Sequence, residues 1–197
     1  MNTSVVRGRT QFLLLALLFA APLIAACVLY FFLPAAQPEG RTNYGELIAP
    51  ARPAPAFRWL DASGHPVEDS VLRGRWSYLY LGTTACGDDC AQKLYQIRQI
   101  RLLLNEKRLR VQRVYVAPDL AALQAARERL SADHPDLIFL TPAPESPAPL
   151  DFFSPQEPQA LYLLDPLANW MMRYPAAAES PGILKDIKRL LRLSQIG

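Results

Sequence analysis

Leu79-Tyr80-Leu81-Gly82-Thr83-Thr84-Ala85-Cys86-Gly87-Asp88-Asp89-Cys90 is the stretch that decides the fold. Its first residues close an apolar and aromatic run, Trp76 to Leu81, which reads as a buried strand. Gly82 to Ala85 form a turn, and a helix is expected from Cys86 to Leu104, with Leu94, Ile97, Ile100 and Leu104 on one stripe. Two cysteines four residues apart at the start of a helix share a face, close enough for a disulfide. The same placement lets two thiolates grip one soft ion such as Cu(I). A helix amino terminus favours the thiolate, whereas Asp88 and Asp89 oppose it by like charge. A disulfide closing so short a loop removes little chain entropy and makes a poor staple, so Cys86 and Cys90 point to redox or metal chemistry.

Outward from this pair, strand and helix signals alternate. Phe57 to Asp61 reads as a short strand, with a Ser63-Gly64 turn and a return through Val67. Strands are expected at 111–116, 137–140, 161–164 and 170–174, and helices at 120–130 and 183–193. That order implies an α/β layer fold with a mixed sheet, as in thioredoxin-like domains.

Upstream, Phe12 to Leu33 is 22 residues long, and only Pro22 falls outside the hydrophobic class. About 20 such residues cross a bilayer. Arg7 and Arg9 precede the run without an acidic residue, which places residues 1–11 in the cytoplasm and the rest beyond the membrane, in the periplasm of a two-membrane bacterium. A cleaved signal peptide and a lipoprotein signal at Leu23-Ile24-Ala25-Ala26-Cys27 are the alternatives to an uncleaved anchor at 12–33. In the anchor, Cys27 is a lipid-facing or helix-packing residue without a redox role.

Five prolines between Pro34 and Pro55 mark residues 34–56 as an extended stalk, leaving 57–197 as the folded domain. Six more between Pro142 and Pro158 mark 141–159 as an irregular insertion. The Asn43-Tyr44-Gly45-Glu46 stretch suggests no chemistry. The net charge of +3 is too small for a nucleic-acid binder. Three cysteines are too few for a disulfide scaffold or a four-cysteine zinc site. No serine–histidine–acid set or phosphate loop can be assembled. Lys93, Arg98, Arg101, Lys107, Arg108, Arg110 and Arg113, against Glu106 alone, read as a solvated face, with anionic lipid or an acidic partner as the other reading.

Phe57-x-x-Leu60-Asp61-x-x-Gly64, Leu72-Arg73-Gly74-Arg75 and Leu79-Tyr80-Leu81-Gly82-Thr83-Thr84-x-Cys86-x-x-x-Cys90 together resemble the SCO/SenC family. Leu161 to Pro166 resembles that family's late strand ending in Asp-Pro. The resemblance implies a membrane-anchored thioredoxin fold that helps build the copper centre of cytochrome c oxidase. It implies a cytochrome c oxidase subunit, or another copper or redox assembly protein, as partner. The family motif is Cys-Pro-Asp-x-Cys; here Asp88 keeps the aspartate and Gly87 replaces the proline. Copper in that family is held by the two cysteines and a histidine just before the late strand. No histidine lies beyond His134, and Glu157, a hard oxygen donor, stands at the matching place. Pro158 is similar to the cis-proline that faces the cysteines in redox thioredoxin folds. His65, His134, Met171 and Met172 are the remaining candidate ligands, each more simply read as solvated or packed.

The expected activity is thiol–disulfide exchange through Cys86 and Cys90 on the periplasmic side of the inner membrane, with copper as a possible ligand of the same pair. The alternatives are a general periplasmic thiol–disulfide oxidoreductase and a non-catalytic thioredoxin-fold scaffold.

Overall fold

The computed structural model describes residues 3–32, 43–153 and 159–196, and the chain divides into two compact units, Met1–Thr42 and Asn43–Gly197. The described residues of the first unit form one helix, α1 (Thr3–Phe32). Its segment Arg9–Leu29, with a mean hydropathy of 2.8, is long and apolar enough to cross a membrane. Apolar side chains cover it all round, as a lipid-facing helix requires. Cys27 is a free, exposed cysteine on this helix.

The second unit is built on an eight-stranded mixed sheet in the order β1-β8-β7-β4-β5-β6-β2-β3. The strands are β1 (Glu46–Pro53), β2 (Trp59–Leu60), β3 (Pro66–Val67), β4 (Trp76–Leu81), β5 (Val111–Val116), β6 (Leu137–Pro142), β7 (Leu161–Leu164) and β8 (Asn169–Tyr174). The helices are α2 (Asp88–Leu102), α3 (Leu120–Leu130), α4 (Pro149–Phe153) and α5 (Ser180–Leu193). Strands β4, β5 and β6 run parallel, with Trp76 opposite Val111 and Val114 opposite Ile138. Parallel pairing needs crossovers, and α2 and α3 supply them. Strand β7 pairs antiparallel with β4, and β8 pairs antiparallel with β7 through the turn at Asp165. That carboxylate accepts the N–H groups of Leu167 and Asn169, an Asx turn that fits the residue type.

Side-chain alternation in β4 sorts the core into two layers. Trp76, Tyr78 and Tyr80 join Leu94, Ile97 and Ile100 of α2, Leu123 and Leu130 of α3, and Ile183 and Ile187 of α5. Leu79 and Leu81 point the other way, toward Phe57, Trp59, Phe153, Tyr162 and Trp170. Every residue of β4 and β5 is buried, because both faces of the central strands are covered.

The structure departs from the sequence reading in three places. Residues 46–53, assigned to the stalk for their prolines, are strand β1 of the sheet, with Glu46 opposite Arg173 and Pro53 opposite Asn169. An edge strand pairs on one side only, so a missing N–H is tolerated there. Much of the stalk expected at 34–56 therefore belongs to the domain; its residues 34–42 lie outside the described chain. Second, the proline-rich 141–159 is not wholly irregular: β6 runs to Pro142, and α4 buries Phe153 completely. Phe153 packs against Phe57, Tyr162 and Trp170 at centroid distances of 6.2, 5.1 and 5.4 Å. Third, the strand read at Phe57 to Asp61 is only Trp59–Leu60, pairing with both β3 and β6.

Candidate redox site

The site stands where β4 ends. Gly82 follows the strand, and its N–H donates to the Val116 carbonyl at 2.8 Å, continuing the ladder one residue further. Gly82 leaves room for the Tyr115 hydroxyl, since a Cβ there would lie 2.6 Å from it. The chain then turns through Thr83–Ala85 into the cysteine pair. Helix α2 begins at Asp88 with Gly87 as its N-cap, so Cys86 sits in the turn and Cys90 in the first helical turn. The expected helix start at Cys86 is two residues early, because the N-cap and the residue before it lie outside the helical hydrogen-bond ladder.

Cys86 and Cys90 form a disulfide with their Cα atoms 5.3 Å apart. Both cysteines are buried, and both belong to the core layer formed by β4 and α2. The cleft over them has a volume of about 410 Å³ and is lined by Tyr80, Thr83, Thr84, Asp88, Asp89 and Gln159 among others. Gln159, in the left-handed region at φ 68°, donates from Nε2 to Asp89 at 3.4 Å. Tyr80 lines the cleft and is buried. Burial foremost, then the neighbouring Tyr115 and Asp89, pushes its phenol up to about 12, so it stays protonated. The adjoining groove between α2 and the loop before α5, about 680 Å³, shares Asp89 and Gln159 with this cleft and carries Gln92, Gln96 and Gln99 on its wall.

Arg129 of α3 reaches this site. Its Nη1 donates to the Cys86 carbonyl at 2.9 Å, and its Nη2 pairs with the Asp88 carboxylate. The opposing charges foreseen at the helix start are therefore answered by a cation from another element. No spacing in the sequence announces this: Arg129 is 43 residues from Cys86 and lies on an otherwise ordinary helix face.

The other candidate ligands are not brought to the disulfide. His65 is exposed in the β2–β3 turn, 3.9 Å from Asp61. Its N–H, together with that of Ser63, holds Asp61 below the usual carboxylate range. His134 is buried beside Arg113, whose Nη1 lies 3.1 Å from its Nδ1. Met172 is buried in the core, Met171 is half-buried against the same layer, and neither lines the cleft. Glu157 and Pro158 lie outside the described residues. Among the described residues, no group of three or more His, Cys, Asp or Glu side chains is arranged to hold a metal ion. Reduced, the pair would offer two soft sulfurs. The histidine that the resemblance requires as third ligand is missing from the described cleft, so these residues do not fit a complete copper site.

The basic stretch from Lys93 to Arg113 is not simply a solvated face. Arg113 is fully buried, donating to the Leu94 carbonyl and pairing with Asp136. Arg101 donates to the Val111 carbonyl at 2.6 Å and to Asp136 at 2.7 Å. Arg110 donates to the carbonyls of Leu191, Ser194 and Ile196, tying down the chain after α5. Lys93 reaches the Ala176 carbonyl at 2.6 Å, and burial lowers its pKa. These cations serve as backbone clamps, and their stems fill space between elements.

A disulfide under a polar cleft, at the first turn of a helix that follows a central strand, defines a thioredoxin-like protein, here with an apolar amino-terminal helix. Residues 76–194 match the family described as "Transmembrane-like, thioredoxin-like, C-terminal domain", and the chain belongs to that family. The SCO/SenC resemblance holds in sequence and in structure. An SCO2-like protein of Rickettsia conorii is 30% identical over 87 residues, 43% of this chain and 42% of that protein. The mitochondrial protein SCO2 of Saccharomyces cerevisiae is 31% identical over 88 residues, 43% of this chain and 29% of that protein. The chain thus spans less than half the length of these relatives. In fold it is similar to apo Sco1 from Thermus thermophilus, with a TM-score of 0.62 and 20% identity over 75% of this chain and 96% of the other. It is also similar to yeast Sco1 with copper bound, with a TM-score of 0.57 and 19% identity over 74% and 95% of the two chains.

Proposed function

We propose that this chain is a membrane-anchored SCO-like factor that assists assembly of the copper centre of cytochrome c oxidase by thiol–disulfide exchange through Cys86 and Cys90. The observation that carries the reading is the Cys86–Cys90 disulfide at the start of α2, under a polar cleft. Its likeness to SCO proteins supplies the partner class, a subunit whose cysteines must be reduced before they take copper. The apolar helix α1 would hold the domain at the inner membrane, with the domain in the periplasm.

In the reduced chain, one thiolate attacks a sulfur of the partner's disulfide. A mixed disulfide forms, the partner's S–S bond breaks, and its second sulfur leaves as a thiolate that takes a proton. The remaining cysteine then loses its proton and attacks the mixed disulfide. The partner is released as a dithiol and the Cys86–Cys90 bond closes, with two electrons passed to the partner. An external dithiol reopens the pair for the next cycle. Copper carriage is not part of this scheme, because the described donor set does not complete a site.

Single variants Cys86→Ser and Cys90→Ser, expressed in the native membrane, test the reading by trapping. One of them should accumulate a mixed disulfide with an oxidase subunit, and deletion of the gene should impair oxidase assembly when copper is limiting. Trapping of many unrelated exported proteins would favour a general oxidoreductase instead. Full oxidase assembly with the double serine variant would leave only a scaffold role.

A further inference from the structure

Among the described residues, Arg129 is the cation that touches the cysteine turn from outside it. Two nitrogens of a single guanidinium engage two residues of that turn: Nη1 donates to the Cys86 carbonyl and Nη2 pairs with Asp88. The first contact fixes the backbone carrying Cys86 relative to α3. The second sets a positive charge against one of the two acids in the first turn of α2. The planar guanidinium presents its donors in a fixed fork, so one side chain makes both contacts. Asp88 is almost fully exposed and Arg129 half-exposed, so the pair adds little to stability. Its position, on the backbone of a residue whose sulfur gains negative charge whenever the disulfide opens, gives it another use.

We propose that Arg129 is a positioning residue of the redox pair, holding the Cys86 turn and offsetting Asp88 so that the opened dithiol is favoured. This rests on the exchange chemistry proposed above. When the S–S bond opens, each sulfur accepts an electron and negative charge develops beside the first turn of α2 before protons arrive. A cation beside that turn lowers the energy of the opened state, and Asp88 raises it. Removal of either group therefore moves the dithiol–disulfide balance, in opposite directions.

The test uses the full chain in detergent with Cys27→Ser, so that Cys86 and Cys90 are the reacting thiols. The variants are Arg129→Gln, Arg129→Lys and Asp88→Asn, equilibrated against reduced and oxidised glutathione. Thermal midpoints are recorded alongside. Arg129→Gln should shift the equilibrium about threefold to tenfold toward the disulfide and slow its opening by glutathione. Asp88→Asn should shift it toward the dithiol, and Arg129→Lys should stay within about twofold of the parent, because it keeps the charge. An equilibrium unchanged in Arg129→Gln overturns the proposal. So do equal shifts in the Gln and Lys variants accompanied by a lowered midpoint, which would mark a merely structural contact. If the parent disulfide does not exchange with glutathione at all, the proposed function fails, and this inference with it. Normal exchange in the parent with no effect in Arg129→Gln removes the inference alone.

Discussion

Asp186 in α5 accepts the backbone N–H of Tyr44 through both carboxylate oxygens, at 3.1 and 3.0 Å, and that of Gly45 at 2.9 Å. Tyr44 lies 142 residues earlier, just ahead of edge strand β1. Its ring packs where a Cβ on Gly182 would stand, 2.8 Å away, and its hydroxyl accepts from Lys185 Nζ at 3.0 Å. The Asn43-Tyr44-Gly45-Glu46 stretch thus latches the start of the domain onto its last helix. Asp186 itself is buried, so its charge is sheltered from screening and its partners matter.

Replacing Asp186 with Ala should lower the unfolding free energy by about 2–3 kcal/mol, the range for hydrogen bonds to a buried charged group. Asp186→Asn keeps one acceptor oxygen and should lose less. Urea denaturation of the full chain in detergent measures both. Equal stabilities for the parent and Asp186→Ala would mean the latch is decorative.

Gly82→Ala should destabilise by about 1–3 kcal/mol, because the new methyl meets the Tyr115 hydroxyl at 2.6 Å in a packed core. That hydroxyl is buried and has no hydrogen-bond partner among the described residues, so Tyr115→Phe alone should be close to neutral. Combining the two substitutions should recover much of the loss. A double-mutant cycle showing simple additivity would contradict the predicted clash.

Acid should weaken the domain through His134. Burial first, and then Arg113, lowers the pKa of His134 below the ordinary imidazole value of 6.5, so the folded state binds this proton less readily than the unfolded chain does. Stability should fall as pH drops through about 6.5, with the loss complete once pH is below the folded-state value. Asp136 is also lowered: burial opposes this, but pairing with Arg113 outweighs it, and a second loss follows as pH falls below 3.8. Thermal midpoints between pH 7.5 and 5 should decline in the parent and decline less in His134→Gln. Matching slopes in the two proteins would rule out His134 as the source.

Replacing both Cys86 and Cys90 with Ala should abolish exchange with glutathione while costing about 2 kcal/mol of stability, because the loop they close is so short. Guanidinium denaturation compared with a glutathione exchange assay separates the two effects. A collapse of the fold in the double variant would make the disulfide chiefly a staple.

Much of this was legible in local pattern. Strands 76–81, 111–116 and 161–164 and helix 120–130 have the bounds expected from hydrophobic runs and the Pro118-Asp119 start signal. Asp119 caps α3 by accepting the Ala122 N–H at 2.8 Å. Two of the three misread segments share one cause. Proline content placed 46–53 outside the domain, but proline tests only for local hydrogen-bond donors, and an edge strand leaves half of its donors unused. Phe152 and Phe153 were hidden inside a proline-rich run, although two adjacent aromatics in a loop are themselves a sign of packing.

By itself the sequence determined the order of the strands and helices other than β1 and α4, the apolar span and the placement of Cys86 and Cys90 at a helix start. These follow from periodicity, capping and spacing, which act within a few residues. Only the tertiary structure decided which charges meet. Arg129 at Cys86 and Asp88, Arg113 between His134 and Asp136, and Asp186 on Tyr44 join residues 21 to 142 positions apart. A polar side chain carries no local mark of its distant partner. Its pairing is set by how the sheet and helices pack, and burial then makes an unmet charge too costly to leave.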